Sequence, residues 1–295
     1  MPATLQLDAK TIAAIAELPL LAQTVVEGFL DGLHRSPFLG YSSEFSAYRA
    51  YAPGDNIRHI DWKVWARTDQ LYVKQFEDDT NMRCQIFLDV SGSMNFGEGD
   101  TNKFNYSRIL AAVLAQLMVK QRDAPGLILF GANARLGLPA LATRHQAQAI
   151  FELLAQTDAN GTTAVGHDLL GIIHTFTRRG LAVVVSDFLM AGEAARQLLR
   201  QLHGQNQEVV VFQVLCPEEL TLPYDGEWLM EDSETGEEIV VHADDLRESY
   251  LEKLKAHTAE IRRECLTLEI DFQSIRTDEP LDKAMTRYLE RRMAI

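Results

Sequence analysis

The chain has 295 residues, of which 46% are apolar, 24% charged and 8% aromatic. This composition excludes collagen-like, coiled-coil and fully disordered proteins, and the length allows one large domain or two smaller ones. The formal charge of −14, from 28 basic and 42 acidic residues, disfavours general binding to nucleic acids or to anionic lipid surfaces.

The cysteines and the first residues of the chain indicate its cellular setting. Cys84, Cys216 and Cys265 share no CxxC spacing and lie in or beside apolar stretches, so we expect buried thiols in a reducing compartment. The start of the chain lacks the basic region of a signal peptide, and charged residues interrupt the apolar stretch 11–30. These features predict a cytoplasmic protein without membrane insertion.

Residues 1–82 form the first of three predicted regions. Apolar spacing predicts a helix over 8–33, broken by a proline, and an irregular segment over 40–80. Within that segment Asp55 is expected to cap a short helix, and the alternation over 71–76 predicts a strand.

Residues 83–216 form the second region, in which apolar strands alternate with helices. The predicted strands lie at 85–90, 127–130, 134–138, 181–186 and 208–215, and the predicted helices at 103–121, 143–156, 165–178 and 192–203. Such alternation predicts an α/β fold, with a doubly wound, mostly parallel sheet and helices on both faces.

Residues 217–295 form an acidic third region, with 21 acidic and 10 basic residues and a net charge of −11. The pattern predicts a β-hairpin, a helix of about twenty residues from Ala243, a strand over 266–275 and a last helix from Pro280. We expect this region to add a strand and a helix to the core. Its acidic stretch 217–246 promotes solubility or forms a surface for a basic partner.

Oxygen-bearing side chains follow two of the buried strands. Asp89, Ser91 and Ser93 come after the first strand of the α/β region, and Asp187 ends the most apolar strand. In a doubly wound sheet, ligands bind at the carboxyl ends of strands where the strand order reverses. Carboxylate and hydroxyl oxygens suit Mg²⁺, and the Gly161-Thr-Thr loop is a candidate for a further ligand. Taken alone, an Asp-x-Ser at a strand end is more often a turn or a helix cap.

The DxSxS spacing with a Thr and an Asp on two further loops resembles the metal-ion-dependent adhesion site of von Willebrand factor A-like domains. The resemblance covers residues 84–216. It implies that a divalent cation is held by Asp89, Ser91, Ser93, Thr162 and Asp187 and keeps one open position for a partner's carboxylate. Thr163 is the alternative to Thr162. Mg²⁺ is the expected ion, with Mn²⁺ and Ca²⁺ as alternatives.

Nearly the whole chain resembles a narrower bacterial family, called domain of unknown function 58. The resemblance is carried by the Arg49-x-Tyr-x-Pro-Gly-Asp-x-x-Arg-x-Ile-Asp-Trp motif, by Leu71-Tyr-Val-Lys-x-Phe-Glu and by the tail from Pro280. Members are associated with MoxR-type AAA+ ATPases, so the resemblance implies such an ATPase as a partner.

These features favour a non-enzymatic adaptor that binds Mg²⁺ and, through it, a client protein that offers a carboxylate. No catalytic residue is predicted. A Mg²⁺-dependent phosphoester hydrolase with Asp89 as nucleophile is one alternative, but Ser91 stands where such an enzyme needs a second acid. Binding of single-stranded nucleic acid through the basic and aromatic residues of 49–77 is another, although acidic residues alternate with them.

Overall fold

The computed structural model places a six-stranded sheet at the centre of the chain. It describes residues 18–19, 22–23, 41–42, 45–50, 64–65, 67, 70–76, 79–80, 82–131, 135–159, 167–176, 178–190, 192–231 and 237–293. The described strands are β1 (Tyr41–Ser42), β2 (Phe45–Ala50), β3 (Tyr72–Phe76), β4 (Asp79–Thr80), β5 (Arg83–Asp89), β6 (Ala124–Phe130), β7 (Arg135–Leu138), β8 (Leu181–Ser186), β9 (Glu208–Leu215), β10 (Glu227–Glu231), β11 (Glu238–His242) and β12 (Asp271–Arg276).

Helices cover both faces of the sheet. The described α-helices are α1 (Lys103–Lys120), α2 (Gln146–Ala155), α3 (His167–His174), α4 (Gly192–Gly204), α5 (Pro217–Thr221), α6 (Ala243–Thr267) and α7 (Leu281–Met293). Neighbouring residues of β5 point to opposite faces, since Ile86 belongs to the buried cluster that includes residues of α1, α2 and α7, whereas Phe87 belongs to the cluster that includes residues of α3, α4 and α6. The predicted α/β fold class, with a mostly parallel sheet between helices, is confirmed.

The strand order defines where a site can form. The order is β12-β9-β8-β5-β6-β7, and all neighbours are parallel except β6 and β7. The chain runs from β5 outward to β6 and then returns to β8 on the other side of β5. The strand order therefore reverses at β5 and β8, whose carboxyl ends carry Asp89 and Asp187. β12 extends the sheet beyond β9, so the acidic third region supplies an edge strand.

The sequence-based prediction of the last strand was wrong at its start. It was placed over 266–275, but α6 continues to Thr267 and β12 begins at Asp271. Leu266, the first residue of the predicted strand, lies on the helix and is 78% exposed. The alternation of Leu266, Leu268 and Ile270 resembled a strand, but the backbone N–H of Leu268 donates to the carbonyl of Glu264 as in a helix.

The first region has more regular structure than the sequence indicated. The stretch 40–80 was expected to be irregular apart from its last strand, yet β2 pairs antiparallel with β3. Two parts of the predicted helix over 8–33 are helical, at 18–19 and 22–23, and the rest lies outside the described residues. Asp55 and its predicted cap also lie outside them. The three cysteines are buried and free, as expected. Among the described residues, no helix is long and apolar enough to cross a bilayer.

Candidate metal centre at the switch point

Asp89 lies at the carboxyl end of β5 and is completely buried. One carboxylate oxygen, Oδ1, accepts a hydrogen bond from the backbone N–H of Ser91 at 3.0 Å, and Oδ2 accepts one from the hydroxyl of Ser186 at 2.6 Å. Among the described residues, no basic side chain forms an ion pair with this carboxylate. Burial, and then the nearby charge of Asp187, raise the pKa of Asp89 from 3.8 to about 7.

Two serine hydroxyls lie beside Asp89 on the loop that follows β5. This loop forms a 3₁₀ turn over Gly92–Asn95, and the backbone N–H of Val90 anchors it to the carbonyl of Phe130 in β6 at 2.9 Å. Ser91 is buried and Ser93 is partly exposed, and their Oγ atoms are 3.1 Å apart. A single loop therefore offers one carboxylate and two hydroxyls, and it opens toward solvent at Ser93.

Asp187 follows β8 and is also completely buried. Its Oδ1 accepts a hydrogen bond from the backbone N–H of Leu189 at 3.0 Å. The next residue, Phe188, has a φ of 59°, in the left-handed region that bulky side chains rarely adopt. The carbonyl of Phe188 contacts the ring of His257 on α6 at 2.6 Å. Such backbone strain persists only where surrounding contacts hold the backbone in place. Here the contact with His257 holds the loop that carries Asp187.

A lysine that the sequence analysis did not single out reaches into this centre. The Nζ atom of Lys103, at the start of α1, donates to Asp187 Oδ2 at 2.7 Å and to Glu219 Oε1 at 2.5 Å. The Lys103 side chain is completely buried. Burial alone would lower the pKa of this ammonium, but the carboxylates of Asp187 and Glu219 outweigh burial and hold that pKa above its usual value.

Four of the five predicted ligands lie at one edge of the sheet. They are Asp89, Ser91, Ser93 and Asp187, whereas Thr162 and its alternative Thr163 lie outside the described residues and stay predictions. Among the described residues, no three His, Cys, Asp or Glu side chains gather in one place as a metal-binding group. The candidate set instead combines two carboxylates with two hydroxyls, which are hard donors of the kind that Mg²⁺ prefers.

The charge at this centre fits a bound cation. A buried carboxylate without a cationic partner is costly, and Asp89 is such a group within electrostatic reach of a second acid, Asp187. A divalent ion would relieve this cost while Ser91 and Ser93 provide neutral oxygens. Asp187 differs from Asp89, because Lys103 already supplies it with a positive charge.

An apolar groove of about 370 Å³ adjoins the centre at Ser93. The loop after β5 contributes Phe96, the loop after β8 contributes Leu189, and the hairpin of β10 and β11 contributes Trp228 and Leu229. All four of these large apolar side chains are exposed. Glu219 also lines the groove, so the oxygen-rich centre and the apolar surface meet at one place.

Three polar residues of the centre were missed by sequence reasoning. The sequence contains one indication of the role of Lys103. A lysine in the first turn of a helix interacts unfavourably with the helix dipole, which indicates that a carboxylate lies nearby. It contains none for Glu219, since an acid in the first turn of α5 is the ordinary pattern for a helix start. Ser186 fits a buried strand by its position, and only the fold shows that it faces Asp89.

Replacing Ser186 by alanine is expected to lower the free energy of unfolding by about 1–3 kcal/mol. The hydroxyl donates to Asp89 and accepts from the backbone N–H of Phe188 at 2.8 Å, so its loss leaves two buried groups without this partner. Urea denaturation measures the effect. The exposed Ser249→Ala is the matched control and should change the free energy by less than about 0.5 kcal/mol. Equal effects of the two substitutions would contradict the assignment of Ser186.

The fold and its switch-point centre define an α/β protein with an oxygen-rich site at the carboxyl ends of two parallel strands. This chain belongs to the family described as Protein of unknown function DUF58, whose model matches residues 47–260. A relative from Mycobacterium tuberculosis strain H37Rv, named Uncharacterized protein Rv1480, is 29% identical over 290 residues, which cover 97% of this chain and 90% of the relative.

Solved structures whose fold is similar to that of this chain include BatB from Bacteroides thetaiotaomicron. It is 18% identical, with a TM-score of 0.48, and the match covers 72% of this chain and 100% of that one. The VWA domain of SpRpn10 is 13% identical with a TM-score of 0.39, over 70% of this chain and 95% of that one.

Proposed function

We propose that this protein is a non-enzymatic interaction protein that binds Mg²⁺ at the switch point and, through the ion, a carboxylate of a partner protein. The ligands would be Asp89, Ser91, Ser93, Thr162 and Asp187, with Mn²⁺ or Ca²⁺ as alternative ions. The observation that carries the proposal is the completely buried carboxylate of Asp89, which has no ion-pair partner among the described residues and lies beside two serine hydroxyls.

The groove beside Ser93 supports a protein as the occupant. When bound, the ion supplies a positive coordination position for an acidic side chain. Phe96, Leu189 and Trp228 present exposed apolar surface next to that position, which suits the apolar neighbours of an acidic residue in a partner. The chain is strongly acidic overall, so a partner's carboxylate would be repelled without the cation.

The residue two positions after Asp89 disfavours the hydrolase alternative. A phosphatase that uses an aspartate nucleophile needs a second acid there as general acid, and this chain has Ser91 instead. The nucleic-acid alternative rests on 49–77, most of which lies outside the described residues.

Calorimetric titration with Mn²⁺ or Mg²⁺ tests the metal site. We expect one binding site in the wild-type protein and its loss in Asp89→Asn, because the substitution removes a buried carboxylate of the centre that has no ion-pair partner among the described residues. Asp100→Asn is the control, since it removes an exposed carboxylate from the same loop region and should bind as the wild type does. Absence of binding to the wild type, or unchanged binding to Asp89→Asn, would overturn the proposal.

The partner is proposed from the family resemblance to be a MoxR-type AAA+ ATPase, which acts with this protein on a client that offers the carboxylate. Pull-down of such an ATPase should require a divalent cation and fail with Asp89→Asn or with EDTA. Asp100→Asn should capture it normally. Cation-dependent turnover of a phosphoester by the purified protein would instead favour the hydrolase.

A further inference from the structure

Lys103 is held between two carboxylates at the candidate metal centre. Its Nζ atom lies 2.7 Å from Asp187 Oδ2 and 2.5 Å from Glu219 Oε1. The lysine and Asp187 are completely buried, and Glu219 is nearly so. Lysine is almost never fully buried unless it is paired, so this arrangement is an ion triad inside the protein. The triad joins α1, the loop after β8 and α5.

The triad places two cations in competition for Asp187. One oxygen of this carboxylate accepts a hydrogen bond from the backbone N–H of Leu189, and the other accepts one from the ammonium of Lys103. A divalent ion that binds Asp187 must share the carboxylate with Lys103 or displace the ammonium from it. Glu219 lies within hydrogen-bonding distance of the same ammonium, so Lys103 can leave Asp187 and keep a carboxylate partner.

We propose that Lys103 is a built-in cation that competes with the divalent ion for Asp187, and that Glu219 holds the ammonium when the ion is bound. Lys103 and Glu219 thereby set the affinity of the centre for metal. This inference rests on the proposed function, because it concerns the same metal site. Glu219 also lines the groove beside Ser93, so a partner seated there lies against the group that retains Lys103.

Mn²⁺ titration of EDTA-treated protein tests the competition. Lys103→Met removes the ammonium but keeps most of the side-chain volume, and we expect it to bind Mn²⁺ at least about tenfold more tightly than the wild type. Lys120→Met is the matched control on the same helix. At a rise of about 1.5 Å per residue, Lys120 lies about 26 Å away, at the other end of the 18-residue α1, and its substitution should leave the affinity unchanged.

A second variant separates competition from a simple change of charge and guards against misfolding. Lys103→Met/Glu219→Gln removes one positive and one negative charge, so the net charge of the centre equals that of the wild type. It also avoids leaving Glu219 buried without its cation. Tighter Mn²⁺ binding by this double variant therefore reports the release of Asp187. We expect the double variant to bind more tightly than the wild type.

The outcomes distinguish the two proposals. Wild-type binding with no gain in either variant would overturn the role of Lys103 and leave the metal site standing. Binding by the variants but not by the wild type would support competition by Lys103 and overturn metal binding as the function of the natural chain. A lack of binding in all three proteins would overturn both proposals.

Discussion

Lys103→Met is expected to lower the free energy of unfolding by about 3–5 kcal/mol in metal-free buffer, the range for a buried ion pair that loses one partner. The substitution leaves the carboxylates of Asp187 and Glu219 buried without their shared ammonium. Each was desolvated on folding, and the attraction to Lys103 offsets that cost together with one backbone N–H donor to each carboxylate. Urea denaturation in EDTA measures the loss.

The double variant Lys103→Met/Glu219→Gln should recover part of this stability, because only one of the two partner carboxylates then remains uncompensated. Glu219→Gln alone should cost less than Lys103→Met, since Asp187 keeps its ammonium. These three values form a double-mutant cycle with a clear coupling energy. Lys120→Met should change the free energy of unfolding by less than about 0.5 kcal/mol. A loss in Lys103→Met no larger than this would show that the triad contributes nothing to the fold.

Mg²⁺ is expected to raise the free energy of unfolding of Lys103→Met by more than it raises that of the wild type. A ligand that binds only the folded state raises stability in proportion to the logarithm of its concentration over its dissociation constant. If Lys103 competes for Asp187, Lys103→Met gains more from a given Mg²⁺ concentration than the wild type does. Stability measurements with and without Mg²⁺ therefore provide an independent check of the calorimetric order of affinities.

The α/β core could be predicted because its strands are nearly continuous apolar runs. β8 and β9 are buried on both faces of the sheet, and this leaves an unmistakable pattern of branched apolar residues. The position of Asp89 and Asp187 followed from the same pattern, since each ends such a run. Local signals therefore sufficed for the sheet, for α1 and for the two carboxylates.

What could not be predicted depends on contacts between distant parts of the chain. Lys103 and Glu219 are 116 positions apart, and no periodicity links the start of α1 to α5. The alternation over 266–270 misled because an exposed leucine at the end of a helix looks the same in sequence as a buried one in a strand. β2 was missed because its pairing with β3, rather than its own composition, makes it a strand.

Asp89→Asn is expected to stabilise the metal-free protein at pH 8 by about 2 kcal/mol, while it abolishes metal binding. The pKa of Asp89 is raised from 3.8 to about 7 in the folded protein, first by burial and then by Asp187. Between these pH values the folded carboxyl holds a proton that the unfolded one has released. The free energy of unfolding of the wild type therefore falls as the pH rises through this window, and Asp89 destabilises the fold above it.

Asparagine has no such titration, so the stability of Asp89→Asn relative to the wild type should rise from pH 4 to pH 7 and then level off. The variant weakens the contacts to Ser186 and Ser91, which makes the net gain smaller than the titration alone would give. All other titrating groups are common to both proteins, so the difference between their curves reports Asp89 together with its electrostatic coupling to Asp187. Urea denaturation in EDTA at several pH values measures it, with Asp100→Asn as the exposed control.

Parallel curves for the wild type and Asp89→Asn, or a variant less stable than the wild type at pH 8, would show that Asp89 is not a strained, uncompensated carboxylate. Saturating Mg²⁺ should reverse the order, because only the wild type then gains a counter-ion for the buried charge. Such a reversal would show that the buried charge of Asp89 lowers the stability of the metal-free protein and raises that of the metal-bound protein. The same carboxylate would then account both for the instability without metal and for the binding of the cation.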